Sequence, residues 1–591
     1  MRKGVTPMLP DQRGRACSFQ CIRLTLLGGS LALGLLASAC SSRETTSAGN
    51  RDDALHLVTQ RIRGFDPARA ADVSSSMAIA RIYETLVEYD YHERPYRLQP
   101  LLAEKMPEVS EDGLTYRFRL RSGIFFSDDP CFAETGGEGR ELVAGDVVYS
   151  IKRIADRKNA STGWWAFRSR IAGLDAFREA SEGDGPTDYD LEVEGLRALD
   201  RYTVEITLVK PYPQLMWILA MTYAAVVPRE AVEHYGAAFN HRPVGTGPFR
   251  LASWRRNYRL EYHRNPAWER SGREPVGLNR MVDLVVADPA TRWMMFLNRQ
   301  LHLTGVTRDQ WESVVRPDFS LAPSFVERGI RLEVNPSLRI NYIAFNMDDP
   351  VVGPNRALRQ AMTSAFNTAE WLTLHNHAVV RPPGPIPAGL AGYDPEAERF
   401  PFDLDRAREW LAEAGYPGGR DPQTGRRLSL TLEFGRADDQ ELRQAAELIQ
   451  QFMARIGIEL NLVFQHGPAF FERLERRQAQ MFYLGWIGDY PDAENFLQLF
   501  YGPNVSPGSN RCNYRNEDYD RLFEQARILP DGPERTELYR RLAAIIIEDS
   551  PWILASQPMD VVLVQGVEGY RSHSFPYGME KHLRLSGGGD R

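Results

Sequence analysis

Alternating apolar and polar residues predict strands in the first half of the chain. Residues 114–120 (LTYRFRL) alternate with a period of two between an Asp-Gly and a Ser-Gly turn signal, and residues 202–208 (YTVEITL) repeat the pattern. Between them, residues 144–154 have the pattern of a helix. The first half of the folded chain is therefore expected to be rich in strands.

Helix and strand patterns alternate between residues 403 and 490. After a first capped helix, the order β-α-β-α-β predicts parallel strands joined by right-handed crossovers. The helix between the first two strands is expected to begin at a capping box of Asp438 and Glu441 and to end at Gly457. The other predicted elements are helices at 403–414 and 469–477 and strands at 428–434, 458–464 and 481–486.

Two charged residues follow strands of this predicted sheet. Arg436 lies two positions beyond the first strand, and Asp489 lies three positions beyond Trp486 at the end of the third. Ligands gather outside the carboxyl ends of parallel strands, so both side chains are expected on one rim. There, a cation and an anion could pair with the two ends of a zwitterion. The alternative is that both are ordinary loop charges on a solvated face.

The first 40 residues have the pattern of an export signal. Five basic residues and one acid precede an apolar run at 24–36, and the segment closes on Ala-Ser-Ala-Cys at 37–40. This ending resembles a bacterial lipobox, in which Cys40 would be acylated and become the mature N-terminus. Cleavage by ordinary signal peptidase is the alternative. Residues 41–52 are small and polar, as expected of a flexible tether.

The net charge and the lack of a long apolar stretch limit which kinds of partner the protein is expected to bind. Without the leader the net charge is −11 rather than −7, because the leader carries five positive charges and one negative, which disfavours nucleic acid as a partner. No second apolar stretch approaches the ~20 residues of a membrane span, so membrane contact is expected only through an N-terminal lipid. Beyond Cys40, Cys131 and Cys512 are expected to be unpaired buried thiols, with one bridge between them as the alternative.

A series of short motifs runs along the chain between residues 55 and 580. They are FDP at 65–67, IYETL at 82–86, PLLAE at 100–104, GDVVYS at 145–150, PVGTGPF at 243–249, NP at 265–266 and NYRN at 513–516. Together, their order and spacing resemble the extracellular solute-binding proteins of family 5, the oligopeptide/dipeptide class that serves ATP-driven importers.

The resemblance implies an α/β fold of the type II periplasmic binding protein kind, with two ligand-clasping lobes and an extra lobe. Solute would be enclosed between domains I and III by closure at a hinge near Val334 and Ala555. The implied domains are a discontinuous domain I (53–75, 212–330 and 555–586), domain II (76–211) and domain III (331–554), after a signal peptide (1–40) and tether (41–52).

The resemblance also assigns roles to the rim residues. In peptide-binding members, an Asp after a Trp-x-x pattern pairs with the ligand's α-ammonium, and residues 486–489 (WIGD) match that pattern. In dipeptide-binding members, an Arg seven residues ahead of a segment like 443–447 pairs with the ligand carboxylate, and Arg436 has that offset. Residues 490–494 (YPDAE) are more acidic than is usual in peptide binders, which would suit a cationic ligand or face solvent. The expected ligand contacts are Asp489, Trp486, Arg436, Gly485 and Tyr483.

The implied function is that of a substrate-binding component of an ABC importer. It would be a lipid-anchored monomer outside the cytoplasm that delivers peptides to the membrane permease, without a cofactor and without catalysis. An alternative solute is a metal chelate, haem or another cationic or zwitterionic compound, since members of this class also take up nickel complexes and haem. His375 and His377 are the only close His pair in the sequence. An exported hydrolase is a remote alternative, because the chain lacks the Gly-x-Ser-x-Gly, His-Glu-x-x-His and P-loop motifs.

Overall fold

The computed structural model describes residues 53–70, 72–316 and 318–586. The predicted signal peptide, the tether and Cys40 lie outside these residues. The strands are β1 Leu55–Thr59, β2 Val87–Tyr89, β3 Leu98–Pro100, β4 Glu108–Val109, β5 Thr115–Arg119, β6 Leu196–Asp200, β7 Thr203–Thr207, β8 Phe249–Arg255, β9 Arg259–Arg264, β10 Arg280–Val285, β11 Leu303–Gly305, β12 Arg331–Pro336, β13 Arg339–Phe345, β14 Val379–Val380, β15 Ser429–Phe434, β16 Glu459–Phe464, β17 Met481–Ile487, β18 Trp552–Val564, β19 Val567–Glu568 and β20 Arg584–Leu585.

Helices join most of these strands. They are α1 Val73–Ala80, α2 Ala144–Ala155, α3 Leu174–Ala180, α4 Leu215–Leu219, α5 Arg229–Tyr235, α6 Pro266–Arg270, α7 Pro289–Leu297, α8 Arg308–Val314, α9 Pro323–Val326, α10 Arg356–Ser364, α11 Thr368–Leu374, α12 Leu404–Glu413, α13 Gln440–Ala454, α14 Gly467–Glu475, α15 Glu494–Leu497, α16 Glu517–Ile528 and α17 Pro533–Asp549.

The N-terminal caps of α12 and α13 can be compared with the predicted caps. Asp403 caps α12 as predicted, because its carboxylate accepts hydrogen bonds from the backbone N–H groups of Asp405 and Arg406. The predicted cap of α13 is wrong by one residue. Asp439, rather than Asp438, accepts the hydrogen bond from the backbone N–H of Leu442.

The first half of the chain contributes two four-stranded sheets, in the orders β1-β10-β9-β8 and β4-β5-β7-β6. The second contains both strands predicted from alternation, since β5 pairs antiparallel with β7. Helix α2 lies between them in the chain, as predicted. The period-two signal is clear here because one face of each strand is buried and the other is partly exposed.

The largest sheet has the order β11-β18-β13-β17-β15-β16, with β12 and β14 also paired to β18. Strand β15 pairs parallel with both β16 and β17, so the predicted parallel arrangement is confirmed. Strand β13 adds antiparallel to β17, which makes the sheet mixed. The carboxyl ends of β15 and β17 therefore lie at one edge, where the sequence places Arg436 and Asp489.

A ribbon formed by β18 with β12 and β11 continues this sheet beyond its parallel part. Strand β18 pairs antiparallel with β13 through its first residues and with β12 through its last, from Met559 to Val564. The two partners are separated only by Ser337 and Leu338. At this junction the Gln557 side chain donates a hydrogen bond to the Ser337 carbonyl at 3.0 Å, and the Ser337 N–H donates to the Pro558 carbonyl at 2.9 Å.

The described residues from Asp53 onward form one compact unit, so the three-lobe division stays a prediction. A buried charge cluster links segments far apart in the chain. Arg81, at the end of α1, forms ion pairs with Asp283 of β10 and with Glu580, and all three side chains are at most 3% exposed. Such a cluster fixes the relative positions of these segments because each buried charge needs its partner.

Cys131 and Cys512 are free and buried, which confirms the expectation of unpaired thiols. Burial raises the pKa of the Cys512 thiol to about 12, so this side chain is neutral at physiological pH. No helix within the described part of the chain is both long and apolar enough to span a membrane.

The ribbon junction yields a prediction about pH. Burial raises the pKa of Asp560 from 3.8 to about 6, against the opposing effect of a hydrogen bond with Ser337. Between about pH 4 and 6 the folded protein therefore holds a proton that the unfolded chain has lost, so stability falls as the pH rises through this window. Asp560→Asn is expected to stabilise the protein by up to roughly 3 kcal/mol at pH 7.5 and by little at pH 4, as measured by urea unfolding.

Asp405→Asn, at a side chain that is 92% exposed, serves as the control and should change stability little at either pH. An equal effect of Asp560→Asn at both pH values would contradict this account of the junction.

Candidate ligand-binding site

Strand β17 leads into the candidate site and leaves one edge open there. Along one edge it pairs with β13 over its whole length, from Met481 to Ile487. On the other edge, β15 pairs only with Met481 and Phe482. From Tyr483 onward that edge has no strand partner among the residues described, so an extended ligand can hydrogen-bond to its backbone.

One face of the sheet at this edge combines polar and apolar groups. Tyr483, Gly485 and Ile487 share it with Arg339 and Asn341, because directly opposed residues of an antiparallel pair point to the same side. The Arg339 Nε donates a hydrogen bond to the Asn341 Oδ1 at 2.9 Å. Ile487 is 64% exposed and supplies an apolar surface beside the guanidinium.

Asn495, the second residue of α15, organises the end of β17. Its fully buried side chain accepts hydrogen bonds from the Trp486 Nε1 at 2.9 Å and from the Asp489 N–H at 3.1 Å. Its Nδ2 also donates to the Asp489 Oδ2 at 3.2 Å. Trp486 therefore helps to position Asp489 through a shared amide, and these hydrogen bonds hold the carboxylate in a defined orientation.

The Asp489 carboxylate is half-buried without a cationic partner. No lysine, arginine or histidine within the described ranges forms an ion pair with it. No donor in these ranges gives its Oδ1 a hydrogen bond. Burial raises the pKa of Asp489, while the hydrogen bond from Asn495 opposes this shift. A ligand ammonium would supply the missing counter-charge and thereby favour the ionised carboxylate.

Three tyrosines from distant segments lie near this carboxylate. Burial raises the pKa of Tyr89, Tyr223 and Tyr577, and the charge of Asp489 raises each of them further. Their positions in the chain correspond to the predicted domains I and II, whereas Asp489 belongs to the predicted domain III. The candidate site is thus assembled from all three of the predicted lobes.

Arg436 is more exposed than Asp489. Its side chain is 63% exposed and forms an ion pair with Asp439 at 3.0 Å. Its charge contributes to lowering the pKa of Arg339, behind the larger effect of burial, so the two guanidiniums are neighbours. Arg436 also lowers the raised pKa of Tyr483, which identifies one cluster of Arg436, Arg339 and Tyr483 at the end of β15.

The acidic residues after Asp489 do not face solvent. Asp492 and Glu494 are 6% and 5% exposed. Arg535 donates to the Asp492 Oδ2 at 2.6 Å, and the Tyr490 hydroxyl donates to the Glu494 Oε2 at 2.6 Å. The expectation that this segment faces solvent was wrong, because both carboxylates are buried and have partners inside the protein. That it suits a cationic ligand stays a prediction.

The structure groups the expected site residues into two sets. Tyr483, Gly485 and Arg436 lie with Arg339, whereas Trp486 and Asp489 share Asn495. Sequence reasoning missed Arg339 and Asn495. The signal for Arg339 was a single cation opening an otherwise largely apolar strand, residues 339–345 (RINYIAF).

The two histidines considered for metal binding, His375 and His377, lie in different surroundings. His375 packs against Trp371, with ring centroids 4.7 Å apart, and burial lowers its pKa to about 4. His377 has a left-handed backbone, with φ of 58°. In the part of the chain that the structure describes, no three His, Cys, Asp or Glu side chains are placed to hold a metal ion.

Comparison with known proteins assigns the chain to a family. The family of bacterial extracellular solute-binding proteins, family 5, matches residues 97–508. The chain therefore belongs to the family 5 extracellular solute-binding proteins. This confirms the family suggested by the sequence motifs, and the family is one of binding proteins rather than of enzymes.

Two relatives and one solved structure support this placement. Heme-binding protein A of Haemophilus influenzae is 27% identical, with 94% of this chain and 97% of that protein covered. Di/tripeptide-binding protein 2 of Pseudomonas aeruginosa is also 27% identical, with 86% and 90% covered. The solved structure of HbpA2 from Haemophilus parasuis has a TM-score of 0.75 at 24% identity, covering 90% of this chain and 99% of that one. The predicted type II periplasmic binding protein fold is confirmed.

Proposed function

We propose that this protein is the substrate-binding component of an ABC importer and that its solutes are short peptides. The observation that carries the proposal is the half-buried Asp489 carboxylate, which has no cationic partner among the described residues and follows a strand edge that no described strand pairs with. A peptide with a free N-terminus offers both an ammonium and a backbone. The name of the di/tripeptide-binding relative is consistent with this choice.

The two features would divide the recognition of a peptide between them. Asp489 would pair with the α-ammonium, with Tyr89, Tyr223 and Tyr577 nearby as hydroxyl and aromatic groups. The open edge of β17 would pair with the peptide backbone and tolerate different side chains. Burying an ammonium is costly unless a counter-charge meets it, so solutes without one would be rejected.

Closure of the lobes would complete the capture. We place the hinge at the ribbon junction, where residues 337–338 and Gln557 connect the parallel part of the sheet to β12. The domain boundaries would be those given by the resemblance: domain I at 53–75, 212–330 and 555–586, domain II at 76–211 and domain III at 331–554. The closed, monomeric form would dock on the permease, because only that form carries enclosed solute.

The export pattern of the sequence supports an activity outside the cytoplasm. Residues 1–40 would be removed and Cys40 would carry the lipid, with residues 41–52 as the tether. Cys40→Ala is therefore expected to abolish incorporation of radiolabelled palmitate and to move the protein from the membrane to the soluble fraction. Cys131→Ala is the matched control, because Cys131 is a buried thiol of the folded body. Unchanged labelling of the Cys40→Ala variant would refute the lipid anchor.

The solute class is tested by recovering what the protein retains. The protein would be incubated with a pool of di- and tripeptides, separated by gel filtration, denatured and analysed by mass spectrometry. Intact peptides above the level of a control without protein are the expected result. Free amino acids in their place would favour the hydrolase alternative, and retention of added haem but of no peptide would favour the haem alternative that the Haemophilus influenzae relative suggests.

A further inference from the structure

Arg339 is a half-buried cation that has no counter-charge within the part of the chain that the structure describes. Its Nε donates to Asn341, but its two terminal nitrogens have no hydrogen-bond partner, and no carboxylate pairs with it, among the described residues. Burial and the neighbouring Arg436 both lower its pKa, although Tyr483 opposes them. A charge in this position destabilises the empty site unless an anion arrives.

The surrounding strands are arranged to keep this guanidinium in place. Gly485 lies under it, and a Cβ there would come within 2.4 Å of the Asn341 Oδ1 and 3.3 Å of the Arg339 Nη2. The Asn341 Nδ2 in turn donates to the Ser556 Oγ at 3.2 Å, which fixes the amide that orients Arg339. Gly485, Asn341 and Ser556, from three adjacent strands, therefore support the Arg339 guanidinium.

The location of this arginine connects it to the proposed peptide site. Arg339 lies on the same face of the sheet as Tyr483 and Ile487 of β17. Arg436 is its neighbour at the rim. A peptide held through its ammonium and its terminal carboxylate would place one anion near these two cations. Two guanidiniums can bind two carboxylates, and the planar fork of arginine suits each of them.

We propose that Arg339 determines specificity by binding a second carboxylate of the ligand, so that the preferred solutes are short peptides with an acidic side chain. This inference rests on the proposed function, since it names the class of peptide that the same site takes. Arg436 would bind the terminal carboxylate, and Arg339 would bind the acidic side chain.

Calorimetry with two pairs of matched dipeptides tests this proposal. Ala-Glu is compared with Ala-Gln, and Glu-Ala with Gln-Ala, because each pair differs only in the charge of one side chain. For the wild-type protein we expect the acidic member of at least one pair to bind at least about tenfold more tightly. In Arg339→Gln this preference should shrink to less than about threefold, while the affinity for the neutral member changes little.

Two further variants make the result specific. Arg476→Gln removes a 65% exposed arginine of α14's C-terminal end, and it should leave the preference intact. Gly485→Ala should reduce the preference with Arg339 still present, because the added methyl group displaces Asn341 and the guanidinium. If Arg339→Gln fails to fold, Gly485→Ala still tests the role of the guanidinium, and equal binding of both members of each pair by the wild type would still overturn the proposal.

The outcomes separate this inference from the proposed function. Equal binding of the acidic and neutral peptides by the wild-type protein would overturn the second carboxylate site and leave peptide capture standing. Binding of none of the four peptides would overturn both. A preference that survives unchanged in Arg339→Gln would assign the selectivity to another residue and refute the inference.

Discussion

Replacing Asp489 with asparagine is expected to weaken the binding of a dipeptide with a free N-terminus by at least about tenfold. The substitution keeps the shape of the side chain and the oxygen that accepts from Asn495, but it removes the negative charge. The ligand ammonium would then be half-buried without a counter-charge, and a tenfold loss corresponds to about 1.4 kcal/mol. Isothermal titration calorimetry of the two proteins with the same dipeptide measures the difference.

Two controls limit this result to the proposed contact. Asp438→Asn changes a carboxylate that is 92% exposed, and it should leave the affinity unchanged. An N-acetylated dipeptide should bind weakly to the wild-type protein and to the Asp489→Asn variant alike. Equal affinities of the wild type and the variant for the free dipeptide would remove Asp489 from the site.

The same contact predicts how binding depends on pH. Burial raises the pKa of Asp489 in the empty protein, whereas an ammonium beside it lowers that pKa again. Protons therefore compete with the ligand as the pH falls toward the raised pKa, and the affinity should decline in acid. The Asp489→Asn variant should lose this part of the pH dependence.

The second large effect concerns stability. Arg535→Met is expected to lower the free energy of unfolding by about 3–5 kcal/mol, because it leaves the buried Asp492 without its cation. The two side chains are 2% and 4% exposed and lie 2.6 Å apart, and the Tyr539 hydroxyl donates to the same carboxylate at 2.8 Å. Urea unfolding followed by tryptophan fluorescence measures the change.

Helix α17 provides the matched control for this prediction. Arg540 lies one turn further along and is 52% exposed, so Arg540→Met should change stability by less than about 1 kcal/mol. Because Asp492 follows Asp489 closely, Arg535→Met should also reduce peptide affinity by disturbing the loop that ends β17. A stability change as small as that of the control would show that the ion pair is not needed.

The sequence predicts the frame of the site because local patterns determine it. Strands β15, β16 and β17 lie in segments of strand length that alternate with helical patterns, so their parallel order follows from connection rules. The position of Asp489 after β17 follows from the same pattern. The α13 cap was misplaced by one residue because Asp438 and Asp439 are adjacent, and the local sequence suits either as a cap.

Long-range contacts account for what the sequence does not predict. The two acids of residues 490–494 are internal because of partners such as Arg535, which lies 43 residues from Asp492. Arg339 lies at the candidate site because β13 pairs with β17, although residues 346–480 separate the two strands in the chain. Periodicity gives the face on which a side chain lies, but not the strand that lies beside it.

A crystal structure of the protein with a bound dipeptide would locate both charged ends of the ligand. We expect its ammonium nitrogen within about 2.7–3.2 Å of an Asp489 carboxylate oxygen, its backbone along the open edge of β17 and its carboxylate toward Arg436. A dipeptide bound with its ammonium away from Asp489, or bound elsewhere on the protein, would contradict this expectation.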